Sequence, residues 1–144
     1  MAEYFKENAV NLEKFVFLNV VNVLEELQKR DDLVLGLLTG NVGEIGWAKV
    51  ENAGLKDSFK LGVFGDEAFK RTDLVSLALE KVEEYNIKPK DTYIIGDTPR
   101  DIQCAQETGC ISVAIPTGKY SSEELKKENP DYLLTDIIEL IDIL

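Results

Sequence analysis

The sequence predicts an α/β fold, a parallel sheet with helices on both faces. Three observations carry that prediction. Short unbroken apolar runs, LVLGLL (33–38), YIIG (93–96) and ISVAIP (111–116), have the length and composition of strands covered on both sides. Segments with apolar residues at helical spacing alternate with these runs. The connections, at roughly a dozen residues, suit the helical crossovers that parallel strands require.

The elements follow in order. Residues 2–17 are amphipathic and ambiguous, and lead into the apolar patch FVFL (15–18). Asn19 is a candidate cap for a helix whose stripe is Val20, Val23, Leu24 and Leu27, ending in QKRDD (28–32). The strand at 33–38 stops at TGN. Asn41 and Glu44 then have the spacing of a capping pair for a helix through Asn52, closed by Gly54. KLGVFG (60–65) is short and β-like, and Leu74, Leu77, Ala78, Val82 and Tyr85 set a helix over 72–85. After KPKD comes the strand TYIIG (92–96), then a helix over 98–108 closed by Gly109, then ISVAIP. Ser121 and Glu124 form a capping box for a short helix that Pro130 ends. DYLL (131–134) reads as an edge strand and DIIELIDIL (136–144) as a terminal amphipathic helix.

Composition narrows the function. The 144 residues suit one domain with a real core, and 44% apolar with 30% charged residues is ordinary globular usage. A net charge of −11 and a pI near 4.5 argue against a nucleic-acid partner. No apolar run approaches the ~18 residues of a membrane span, and the N-terminus lacks the pattern of a signal peptide. A cytoplasmic protein is expected. The two cysteines, Cys104 and Cys110, form no CxxC pair and read as buried reduced thiols. Histidine is absent, which removes Ser-His-Asp and Cys-His nucleophile systems and histidine metal sites. There is no GxGxxG and no GxxxxGK[ST], so neither a dinucleotide fold nor a P-loop enzyme has support.

Ligands of open parallel sheets bind at the carboxyl ends of the strands. Thr39, with Gly40 and Asn41, stands at one such end and Asp97 at another, and the basic pair Lys70 and Arg71 sits between them in sequence at a helix start. A hydroxyl, a cation and a carboxylate suit a phosphate and a hard divalent cation such as Mg²⁺. Each also has a plain reading. Thr39 can satisfy a turn, Lys70 and Arg71 can be solvated charge, and Asp101 can be a favourable first-turn acid. Asp97 is the hardest to explain that way, because an acid ending a buried strand costs desolvation unless it is paired or on a metal.

In this order and context LLTGN (37–41), the basic pair, and GDTPRDIQCA (96–105) resemble motifs II, III and IV of the haloacid dehalogenase (HAD) superfamily. ENAGLKDSF (51–59) followed by GVFGDE (62–67) is similar to the stretch joining motifs II and III in its phosphatase-type, phosphoglycolate-phosphatase-like members. The likeness runs from about residue 18 to the C-terminus. It implies a three-layer Rossmann-like sheet and a Mg²⁺-dependent phosphatase of small phosphomonoesters. Thr39 would bind the transferring phosphoryl group, with Gly40 and Asn41 lining that loop. Lys70 or Arg71 would neutralise charge; FKRTDL departs from the usual Lys-Pro, and Arg71 lies nearer the helix start. Asp97 would bind Mg²⁺, with Asp101 as the second acid ordering its waters or loop.

The reacting group is missing from this pattern. The superfamily reacts through the first aspartate of a DxD motif, and no DxD precedes LLTGN. If FVFLNVVNVL (15–24) took its place, Asn19 would replace the nucleophile and Val21 the acid/base. LNVVNVLEELQKR (18–30) fits better to PGVxxLLxxLxxR, where the chain of relatives returns from cap to core. Residues 1–17 then read as a cap remnant or N-terminal extension, and 18–144 as a HAD-like core lacking the usual first strand and most of the cap. A truncated or split hydrolase, inactive alone and binding Mg²⁺ weakly, is expected. A non-catalytic phosphate- and metal-binding or regulatory protein is the alternative. The gap left by the strand would be covered by the chain itself, by self-association or by a partner segment.

Overall fold

The computed structural model describes residues 18–39, 43–44, 48, 51, 54, 56–67, 70–116 and 119–144. They fall into two compact units. One comprises Met1–Asp66 with Asp136–Leu144, and the other Glu67–Thr135.

In the first unit α1 (Leu18–Gln28) buries Val20, Val23 and Leu27, three of the four residues of its predicted stripe. The helix packs on the end of the chain, a 3-10 turn at Ile137–Glu139 followed by α5 (Leu140–Ile143). The sequence predicts one amphipathic helix over 136–144. Instead the Glu139 N–H donates to the Asp136 carbonyl at 3.1 Å, the i→i+3 bond of a 3-10 turn, and the Asp136 carboxylate caps that turn by accepting the Ile138 N–H at 3.1 Å. Arg30 donates to the Leu144 carbonyl and forks onto Asp32 at 3.0 and 2.6 Å, which holds the Asp32 carboxyl below its usual range. β1 (Gly36–Leu38) and β2 (Leu61–Val63) are parallel, in the register Gly36↔Leu61 to Leu38↔Val63. The ladder is shorter than the 33–38 run, although the Leu35 carbonyl still accepts the Lys60 N–H at 2.8 Å. Asn41 and much of the helix expected to follow lie outside the described residues. Gly54, its expected stop, has φ of 73°.

The second unit runs α2 (Arg71–Lys81), β3 (Tyr93–Gly96), α3 (Pro99–Thr108), β4 (Ile111–Ala114), α4 (Ser122–Lys126) and β5 (Tyr132–Leu133). α2 is shorter than the predicted 72–85. The backbone leaves the helix at Val82, a 3-10 turn spans Glu83–Tyr85, and Asn86 stops it with φ of 60°. Tyr85 is consequently exposed instead of completing the stripe. α3 ends as expected at Gly109, φ 77°, and the Ser121/Glu124 capping box starts α4. The strands are parallel in the order β3-β4-β5. Ile102 of α3, Ala114 of β4 and Leu125 of α4 form a buried cluster against Tyr120 and Leu133. Ser112, fully buried in β4, is satisfied by Asp131. The Asp131 carboxylate accepts its N–H and O–H at 2.8 and 3.1 Å, and the Asp131 N–H returns to Ser112 Oγ at 2.9 Å.

Among the described residues the strands thus form a two-stranded and a three-stranded parallel sheet. Among the described residues β1 pairs on one side only, and so does β3. In β3 the Thr92 and Gly96 carbonyls accept from Ile111 and Ile115 of the neighbouring strand segment at 2.8 and 3.0 Å. That phase turns the backbone groups of Tyr93 and Ile95 away from β4.

Candidate functional site

The second unit assembles its chemistry where β3 hands over to α3. Gly96, the last residue of β3, is buried, and Asp97 follows it, half-buried. Thr98 caps α3 with an extended backbone, φ −126° and ψ 155°. Its Oγ1 accepts the Asp101 N–H at 3.3 Å, while the Thr98 N–H and O–H donate to Asp101 Oδ2 at 3.2 and 2.9 Å. This is a reciprocal capping box with an aspartate in the third helical position. Gly96 is required by the same arrangement. A Cβ there would lie 2.1 Å from Asp101 Oδ2 and 2.3 Å from its Cγ.

The remaining oxygen of Asp101 meets α2. Arg71, the first residue of that helix, donates from Nη1 to Asp101 Oδ1 at 2.8 Å. The side chains are 33% and 10% exposed, so the pair is shielded well beyond an ordinary surface bridge. A cation in the first turn opposes the helix dipole, and Asp101 offsets it with a charge-assisted bond of roughly 1.5–3 kcal/mol. Lys70, at the cap position, is exposed and makes no cap hydrogen bond. Asp97 has no hydrogen-bond or ion-pair partner among the described residues, an arrangement that leaves both its oxygens open to a hard cation.

The structure therefore brings Arg71 and Asp101 together, with Asp97 four residues before Asp101 on the same corner. Thr39, buried one residue beyond β1 with its N–H on the Val63 carbonyl at 3.1 Å, belongs to the other unit. Gly40 and Asn41 lie outside the described residues. No cluster of three or more metal-ligating side chains occurs among the described residues, and Asp101 already has both oxygens engaged. Thr98 and Gly96 are absent from the residues singled out in the sequence. The spacing of Thr98 and Asp101 is a readable capping signal, whereas nothing local marks Gly96 as a residue without room for a Cβ. The two thiols are free and buried, and burial pushes Cys110 above its ordinary range, partly countered by the Thr108 hydroxyl.

The HAD-hydrolase-like family model matches residues 72–140, from α2 through the Asp97–Asp101 corner to α5. A haloacid dehalogenase-like hydrolase of Streptococcus pneumoniae superposes with a TM-score of 0.78 at 25% identity, over 87% of this chain and 58% of that one. Over most of its length the chain has a haloacid dehalogenase-like fold. At the sequence level this HAD-like core is similar to phosphoglycolate phosphatases. It is 28% identical to that of Escherichia coli K12 over 130 residues, 90% of this chain and 51% of the relative. For that of Vibrio parahaemolyticus the figures are 26% over 125 residues, 86% and 54%. The chain spans about half the length of the curated relatives it matches.

Proposed function

We propose that this HAD-like core binds the phosphate of a small phosphomonoester, phosphoglycolate being the substrate class of its relatives, together with Mg²⁺. The observation that carries this reading is the corner of the second unit, where Arg71 is fixed on Asp101 while Asp97 stays open. Arg71 is the better-placed cation of the basic pair, since its guanidinium is already anchored beside the acid. Asp97 would hold the metal, with water and phosphate oxygens completing the shell; bound Mg²⁺ would neutralise phosphate charge. Thr39, Gly40 and Asn41 would supply the phosphate loop of the first unit.

We further propose that these 144 residues do not turn substrate over alone. No DxD occurs among them, and binding without an in-line nucleophile does not give turnover. A separate segment carrying DxDGT, or a second copy, would pair with a strand edge that is unpaired among the described residues. The lack of DxD equally favours a second reading, a non-catalytic phosphate- and metal-binding protein. A cytoplasmic location suits both.

Assays with p-nitrophenyl phosphate and Mg²⁺ test the turnover claim. The chain alone should show no activity above background. A co-expressed DxDGT segment should restore it for a split hydrolase and leave it absent for a binding protein. Robust turnover by the chain alone, lost in Asp97→Asn and kept in Asn19→Ala, would mean that another nucleophile operates.

A further inference from the structure

We infer that Thr98 and Gly96 are positioning residues for the Arg71 guanidinium, acting through Asp101. A carboxylate turns readily about its last side-chain bond, so an unrestrained Asp101 would present either oxygen in many directions. Thr98 removes that freedom. Its N–H and O–H both hold Oδ2, at 3.2 and 2.9 Å, which turns Oδ1 towards Arg71 Nη1, 2.8 Å away. Gly96 supplies the space for this pose. A Cβ there would stand 2.5 Å from the Cβ of Asp101 as well as against its carboxyl, so no side-chain rotation alone relieves the clash.

Arg71 has the most to lose when this support goes. Its side chain is long, one-third exposed and set at a helix start, so fixing it costs considerable rotamer entropy. Asp101 engages only Nη1; among the described residues Nε and Nη2 donate to no protein acceptor. A guanidinium held by one nitrogen keeps its other donors pre-aimed for bidentate capture of phosphate. The consequence for ligand binding rests on the phosphate reading above, whereas the positioning relation itself does not.

The test uses the full chain with Thr98→Val, Thr98→Ser and Thr98→Gly. Thr98→Gly keeps a residue that helix caps tolerate well, so it separates capping from positioning. The first readout is the slowly exchanging Arg71 Nη1–H signal in ¹⁵N NMR, the donor that Asp101 holds, assigned by its loss in Arg71→Lys. The second is titration with inorganic phosphate. The signal should persist in the wild type and Thr98→Ser and be lost in Thr98→Val and Thr98→Gly. Phosphate binding should weaken about tenfold in the latter two, the worth of one charge-assisted contact. An unchanged Arg71 signal in a folded Thr98→Gly chain would overturn the inference and leave Thr98 a helix cap alone. Loss of the signal in a protein whose wild type binds no phosphate would uphold the positioning and refute the phosphate reading.

Discussion

Asp97 and Asp101 are both acids of one corner, yet they have opposite energetic characters. Asp101 is an N-terminal cap partner and the counter-charge of Arg71, so Asp101→Asn should cost roughly 1.5–3 kcal/mol in urea unfolding. Asp97 has no partner to lose among the described residues, and Asp97→Asn should stay within about 0.5 kcal/mol of the wild type while weakening Mn²⁺ binding. Equal metal affinity in the two proteins would remove Asp97 from the site. Gly96→Ala should destabilise by about 1–3 kcal/mol or more, because a Cβ has no room beside Asp101. Cys110 adds a pH dependence. Burial raises its folded-state pKa above the ordinary 9.0, so its contribution is full below that value. It is then lost as the pH rises and the unfolded thiol ionises first; thermal melts should fall on the alkaline side, and less so in Cys110→Ala. The two acids and the basic pair were readable from the sequence as candidates. Their division of labour was not, since the contact that sets it joins residues 30 apart in the chain.

At the scale of elements, local signals were readable where they act locally. The Ser121/Glu124 box, the Gly109 stop and the apolar stripe of α1 stand where the sequence places them. The misses are ends decided by backbone geometry. The backbone leaves the helix at Val82 and shortens α2, Asn86 is left-handed at the end of the 3-10 turn that follows, and the terminal helix opens on a 3-10 turn at Ile137–Glu139. The expected parallel α/β arrangement is present, and among the described residues its strands form two ladders, each with a one-sided strand. For β3 this has a measurable sign. The Ile94 and Gly96 amides face β4 and should be protected from hydrogen exchange. Those of Tyr93 and Ile95 face the side of β3 without a partner strand among the described residues and should exchange at least about tenfold faster. Uniform protection along 93–96 would show that another segment already pairs with that edge.

For the whole molecule, a net charge of −11 makes the few cations of the site stand out, and the chain covers about half of each curated relative it matches. The proposed binding corner, without a DxD motif, is a physically coherent object, since anchoring a phosphate and cleaving its ester bond call on different groups. The most direct measurement is ³¹P NMR of phosphoglycolate mixed with the full chain and Mg²⁺, because one spectrum reports both events. The phosphomonoester resonance should broaden in the wild type and sharpen in Arg71→Ala, with no inorganic phosphate signal growing over hours. An unbroadened resonance in the wild type, or a steady build-up of inorganic phosphate in proportion to the protein added, would contradict the account.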